Sequence, residues 1–499
     1  MLRSADLKSD WRMLYSVALN KGGNEMDNVL DLDATEVAAR IRNGEVTAVQ
    51  ATNAYIDHLQ RANIKINCVT VDRYEAARQE AIQADLKLQS GEKLGRLHGV
   101  PISVKDCFHV AGMPTTSGLS YRAHLIEEQD AAVVKLLKQE GAIIVAKTNT
   151  PALCFCQETV NKLHGQTNNP WDLQRSAGGS SGGEGALIAV GGAAVGLGAD
   201  IGGSIRFPSH YNGIVGFKSG NERVDDTGNF PHVSIAEQRR MLGIGAMGKS
   251  VRDARLVNEI LTGSKRIFVD LDAYELVIPE KLPNIPLSAS SEKLIEQLRQ
   301  KIAADFKTGC EPPPHFAQSA LLWQEMMSID GAKQIQNLMS SDGSAKPLME
   351  YVKEKLTGRS DTHAYLSWAL LGANMFKPSQ ARRAQIAELL KQGDEELAHY
   401  FHTRLLILPV YHEAAQRHGK QYSEIFSIRK TFKQYMPYIS YANVWGLPAL
   451  TLPIGTDEDG MPIGVQLISS VGNEDAIFQL GEWIEEEMYR YKRCTSYDS

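Results

Sequence analysis
Three side chains in this sequence have the types and surroundings to form a nucleophile and its base. Ser204 and Ser180 lie in glycine-rich turns, Asp200-Ile-Gly-Gly-Ser-Ile-Arg206 and Gly178-Gly-Ser-Ser-Gly-Gly183, and Lys105 ends the run His98-Gly-Val-Pro-Ile-Ser-Val-Lys105. A hydroxyl is a poor nucleophile until a neighbouring base takes its proton, and a lysine can be that base. Free lysine keeps its proton to about pH 10.4, so Lys105 serves only if burial beside Ile102 and Val104 disfavours its charged form. A desolvated Lys105 is therefore expected; the plainer alternative is a surface lysine paired with Asp106. The glycines support a local concentration of chemistry, since 14 of the 42 fall between residues 178 and 220.

Two other readings of that window are weaker. A glycine-rich loop ahead of a helix can cradle phosphate, but no G-K-[ST] follows and no G-x-G-x-x-G sits after a strand. Gly179-Ser-Ser-Gly-Gly183 formally satisfies G-x-S-x-G with Ser181 as nucleophile. That motif needs a preceding strand, and Asp172-Leu-Gln-Arg-Ser-Ala177 is polar loop.

Taken together, the Lys105 segment, the Ser180 segment and the Ser204 segment resemble, in order and spacing, the amidase signature family of serine hydrolases. The separations are 75 residues from Lys105 to Ser180 and 24 from Ser180 to Ser204. The likeness runs from about residue 30 to 490 and includes Gly446-Leu-Pro-Ala-Leu-Thr-Leu-Pro-Ile-Gly455 and Gly460-Met-Pro-Ile-Gly-Val-Gln466. The resemblance implies an acylating Ser204, a bridging Ser180 preceded by a cis peptide bond, and Lys105 as general base. It also implies an oxyanion hole made by the backbone amides of Ile201, Gly202, Gly203 and Ser204. Gly179, Ser181, Asp200 and Arg206 are expected to shape the loops, the last two as a structural ion pair. Ile201 and Phe207 depart from the D-T-G-G-S-I-R-Q-P pattern of tRNA amidotransferase subunits, and residues 178–188 and 200–209 look more like the fatty-acid amide hydrolase branch. That likeness implies an apolar or aromatic acyl group, with Cys154 lining its site or else serving as a buried structural thiol.

Helix and strand signals alternate in the first half, which argues for an α/β sheet flanked by helices. Asp33-Ala-Thr-Glu36 and Thr47-Ala-Val-Gln50 match capping boxes, with the second helix running to about Ala62. Strands are expected at Cys68–Val71, Ile102–Val104 and Ala142–Ala146, and helices near 74–90 and from Asp130 to Gly141. Strand signals return at Ala449–Pro453 and Ile463–Ile468, before a last helix over about 474–488. The expected fold is one large mixed central β-sheet covered by helices on both faces, as the amidase resemblance also implies. It is read as a single unit over 29–499, with a helical insertion over about 264–430 and a poorly ordered leader at 1–28. Ala364-Tyr-Leu-Ser-Trp-Ala-Leu-Leu371 within that insertion is open to three roles: helix core, tunnel wall or membrane-docking surface.

Composition narrows the partners. With 53 Lys plus Arg against 59 Asp plus Glu, the net charge is −6, which offers no polyanion-binding excess and sets nucleic acid aside. Six cysteines in 499 residues are too few for a disulfide scaffold, and no C-x-x-C metal pair occurs. Reduced thiols, no signal peptide and no stretch of about 18 apolar residues make a cytoplasmic protein the expectation. The reading is thus a cofactor-free, metal-free hydrolase of a small-molecule amide, using water. Its rivals are carbamate or ester hydrolysis with the same residues, and a role within an amidotransferase as one of its subunits. A homodimer is an open assembly state.

Overall fold
The computed structural model describes residues 29–280, 282, 286–425 and 431–498. The expected leader and the signal-peptide reading at 1–28 lie outside the described residues. Among the described residues thirteen strands follow in chain order: β1 Val69–Asp72, β2 Pro101–Lys105, β3 Ile143–Thr148, β4 Val160–Asn161, β5 Gly165–Gln166, β6 Val195–Asp200, β7 Val215–Lys218, β8 Gly243–Gly248, β9 Glu275–Val277, β10 Thr308–Gly309, β11 Arg404–Pro409, β12 Ala449–Thr456 and β13 Pro462–Ile468. Eleven join one mixed sheet in the order β1-β3-β2-β6-β8-β7-β12-β13-β11-β9-β10, while β4 and β5 form a separate hairpin.

Every residue of β2, β3, β6, β7 and β8 is buried. A strand buried on both of its alternating faces requires helices on both sides of the sheet. The N-terminal helices begin where the capping signals place them. Asp33 accepts from the Glu36 amide ahead of Ala34–Arg42, and Thr47 and Gln50 form a reciprocal box ahead of Ala48–Ile66. The second helix runs four residues beyond Ala62 and stops at Asn67, which adopts the left-handed conformation that ends helices.

The two halves of the chain meet where β12 pairs antiparallel with β7, so the C-terminal strands do rejoin the N-terminal sheet. The 264–430 segment is not helical throughout. It contributes β9, β10 and β11 to the far edge of the sheet, because Leu405–Leu408 is an apolar run that buries best against β13. Helix Ala364–Met375 puts Leu366 and Leu370 into a small core, while Trp368 and Leu371 face a cavity, so it acts as core and wall at once. Among the described residues no helix is long and apolar enough to cross a membrane.

Candidate active site
Sheet register brings the sequence-distant motifs together. β2 runs parallel to β6, with Ser103 opposite Gly196 and Val104 opposite Leu197, so both strands end side by side. Lys105 closes β2, and the loop Ile201–Ser204 leaves the end of β6 at Asp200. The helix Gly182–Ala189 starts directly after Ser180 and Ser181 and packs against both strands. Such a crevice beyond strand ends is where open α/β sheets place their ligands.

Lys105 is 1% exposed, which removes the surface-lysine reading. Its Nζ donates to Ser180 Oγ at 2.6 Å and reaches the Ala199 carbonyl at 3.4 Å. The Gly179–Ser180 peptide bond is cis. Gly179 has no room for a side chain, since a Cβ there would lie 2.8 Å from the backbone of Cys156 and Gln157. The Ser181 amide donates to the Ser204 carbonyl at 3.1 Å, tying the two serine loops together. Among the described residues its buried hydroxyl has no hydrogen-bond partner, so Ser181 shapes the site through its backbone.

Asp106 is not paired with Lys105. Its carboxylate lies 2.8 Å from Lys147 Nζ, both groups fully buried, and it also accepts from the Thr116 amide and hydroxyl. This pair fixes the turn after Lys105. Adjacency to an aspartate suggested the wrong partner, because Asp106 lies in the turn beyond the end of β2 and its carboxylate meets Lys147 of β3.

The Ile201–Ser204 loop is held from several sides. Asp200 and Arg206 form the expected ion pair at 3.0 Å, both fully buried. Asp200 also accepts from the amides of Gly203 at 2.8 Å and Ile205 at 3.1 Å. Burial alone would push the Asp200 carboxyl up, but the Arg206 guanidinium, Lys218 and Asn443 hold it well below the ordinary carboxylate range. Arg206 further donates to the Ile439 carbonyl and Gln466 Oε1, each at 2.9 Å, and to Asn443. Gly203 sits at φ +96°, and a Cβ there would lie 2.6 Å from Phe207, so no other residue fits both demands.

Of the four amides expected to line an oxyanion hole, the Gly203 N–H donates to Asp200 instead. Among the described residues, the amides of Ile201, Gly202 and Ser204 donate no hydrogen bond. Two side chains outside every motif hold the carbonyls of this loop: Trp323 Nε1 donates to Ile201 O at 2.8 Å and Gln157 Nε2 to Gly202 O at 3.2 Å. Each bond locks a peptide plane, and a trans peptide aims its N–H opposite its carbonyl.

Two cavities meet at Ser204, which is 6% exposed. One, of about 360 Å³, is walled by Phe155, Trp323, Trp368, Leu371, Phe376 and Phe432. The other, of about 430 Å³, contains Lys105 and Ser180 and is lined by Phe230, Leu242 and Leu338 with Asn229, His232 and Asp330 among them. Cys154 and Ile201 border both. A hydrogen bond from Cys107 draws the Cys154 thiol down to about 6, aided by Lys105, Thr150 and Ser117 against the effect of burial. All six cysteines are free thiols.

This arrangement can generate a serine nucleophile, receive a proton and bind an apolar group. The family model described as Amidase matches residues 50–478. Fatty-acid amide hydrolase 2-A of Danio rerio is 34% identical over 469 residues, covering 88% of this chain and 86% of that protein. Indoleacetamide hydrolase of Bradyrhizobium diazoefficiens is 30% identical over 463 residues, covering 91% of this chain and 86% of that enzyme. Among solved structures, a fatty acid amide hydrolase superposes with a TM-score of 0.78 at 21% identity, covering 95% of this chain and 88% of its own, which shows a shared fold. Sequence, fold and the grouping of motifs around one crevice converge on a single statement: the chain belongs to the amidase signature family and is an amidase-type hydrolase.

Proposed function
We propose that the protein hydrolyses carboxylic amides carrying an apolar or aromatic acyl group, through an acyl-enzyme on Ser204. The observation that carries this reading is the buried Lys105–Ser180 hydrogen bond in the cavity that also exposes Ser204. Ser204 Oγ attacks the carbonyl carbon while its proton passes through Ser180 to Lys105, acting as the base. The oxyanion forms against the free amides of Ile201, Gly202 and Ser204, which are preorganised and need no rearrangement. Collapse of the tetrahedral adduct breaks the C–N bond, and the proton returns through Ser180 to the leaving nitrogen. Water then attacks the acyl carbon by the same proton route and frees the acid.

The proton route assigns the two cavities. The leaving nitrogen must face Lys105 and Ser180, so the amine occupies the larger cavity that contains them. The acyl group then lies in the smaller, aromatic one. Similarity to fatty-acid amide hydrolases and the aromatic wall support an apolar acyl group. No cofactor or metal has a step in this sequence.

A panel of matched amides, carbamates and esters of graded acyl length on the purified chain tests the reading. Turnover of the amides by the chain alone supports it, and no turnover without a partner chain favours a role within an amidotransferase. Preference for the carbamate or ester would redirect the substrate class while leaving the machinery intact. Ala369, on the wall of the smaller cavity, gives a sharper check. Ala369→Trp should lower kcat/KM for a long acyl chain by about 50-fold, if three methylenes at about 0.8 kcal/mol each lose their burial, and leave an acetyl substrate nearly unaffected. Equal losses for both would place the acyl group elsewhere.

Trp323→Phe removes the bond to Ile201 O. At about 1 kcal/mol for such a bond, kcat should fall about 5-fold for all acyl lengths alike in steady-state assays. A loss restricted to long chains would mean that Trp323 serves only as cavity wall.

A further inference from the structure
Glu184 is a fully buried carboxyl that the mechanism above leaves unused. It lies in the first turn of the Gly182–Ala189 helix, four residues after Ser180. Its two oxygens accept from Ser103 and from Thr148 Oγ1, the latter at 2.5 Å. Ser103 precedes Lys105 by two positions in β2, so both side chains leave the same face of that strand. Thr148 is the residue of β3 in register with Lys105. The third neighbour is β6, where Ser103 faces Gly196. A Cβ on Gly196 would lie 1.6 Å from Glu184 Oε1, so the carboxyl occupies the space a side chain on β6 would need.

One carboxyl therefore touches the strand that ends in Lys105, its neighbour, and the strand that leads into the Ser204 loop, from the helix that follows Ser180. Among the described residues no lysine, arginine or histidine lies within ion-pair distance of it. Burial pushes it up to about 7, opposed by the two hydroxyl donors and by the charge of Lys105. Of the other ionisable groups nearby, Lys147 pairs with Asp106 and Asp200 with Arg206, while the Cys154 thiol, drawn down to about 6, is a second group coupled to Lys105 and is unchanged in the variants below. His210, on the adjoining helix, is lowered by burial to about 4, and the Cys68 thiol ahead of β1 is raised by burial and by Glu184 itself.

We propose that Glu184 is a positioning residue that holds Lys105 in register with Ser180 and, through its own charge, sets how readily Lys105 takes a proton. This inference rests on the reading of Lys105 as the base. An ionised Glu184 favours the ammonium form of Lys105, and a neutral group in its place favours the free amine. The test is the pH profile of kcat/KM, whose acid limb reports the base of the free enzyme. Glu184→Gln keeps the shape and removes the charge, and its acid limb should move to lower pH by about one unit. Thr148→Val keeps the shape of β3 and withdraws one donor from the carboxylate, which favours its neutral form, so its limb should move in the same direction. KM should change less than about two-fold in both, since neither residue lines a cavity.

Lys105→Ala is run alongside. If it loses activity while the Glu184→Gln and Thr148→Val profiles overlay the wild type, the Glu184 role is overturned and the base stands. If Lys105→Ala keeps normal amide turnover, the base itself is misassigned. Should Glu184→Gln fail to fold, Thr148→Val decides alone: a shifted limb supports the role and an unshifted limb overturns it.

Discussion

Ser204→Ala is expected to lower kcat for the best amide by about 10⁴-fold or more and to abolish labelling by an active-site fluorophosphonate. The magnitude follows from the role: without Oγ no acyl-enzyme forms, and only binding and the oxyanion amides remain. The fold should survive, because the contact the site draws from residue 204 is its carbonyl, which accepts from the Ser181 amide, and that bond is kept. Circular dichroism and melting temperature should therefore match the wild type. Labelling that persists in Ser204→Ala would move the nucleophile elsewhere. The formal alternative, Ser181, has a buried hydroxyl with no partner among the described residues, so Ser181→Ala should still label.

Lys105→Ala is the second large effect, with amide turnover expected to fall about 10²- to 10⁴-fold, the range of a lost general base. Among the described residues no other lysine lines the cavity that contains Ser180. Lys147 is the nearest buried lysine in sequence on the adjoining strand, but its Nζ is engaged by Asp106, the Pro114 carbonyl at 2.7 Å and Thr115 Oγ1 at 2.8 Å. Lys105→Met, which fills the same volume, separates lost chemistry from lost packing. Both variants should be equally slow if the amine is what matters. The rate of fluorophosphonate labelling should drop in parallel, since it needs the same activated hydroxyl. Near-normal amide turnover in either variant would refute the role.

The residues with a short-range signal were legible before any coordinates. Lys105, Ser180 and Ser204 stand in patterned segments, and the capping boxes at Asp33 and Thr47 mark helix starts because the groups they satisfy lie within one turn. β2 and β3 each extend one or two residues beyond the apolar core that signalled them, as element ends generally do. What escaped was held at long range. Trp323 and Gln157 fasten the carbonyls of Ile201 and Gly202 across 122 and 45 residues. Nothing near either residue in sequence marks it, because a tryptophan in a helix reads as core. Lys147 and Glu184 were equally silent: one follows an apolar run and the other stands between two glycines, and only the packing shows that they have partners. The commitment of the Gly203 amide to Asp200 was hidden for another reason, since a motif names residues and does not say which way a peptide plane points.

The contacts of Arg206 have a consequence for shortened chains. Its guanidinium is satisfied by Asp200 nearby and by Ile439, Asn443 and Gln466, which lie more than 230 residues further along. A chain that ends before Ile439 lacks all three of those acceptors, and a buried guanidinium short of partners is strongly disfavoured. The loop bearing Ser204 is thus buttressed by residues far along the sequence, and a chain truncated before Ile439 is expected to show no amide turnover.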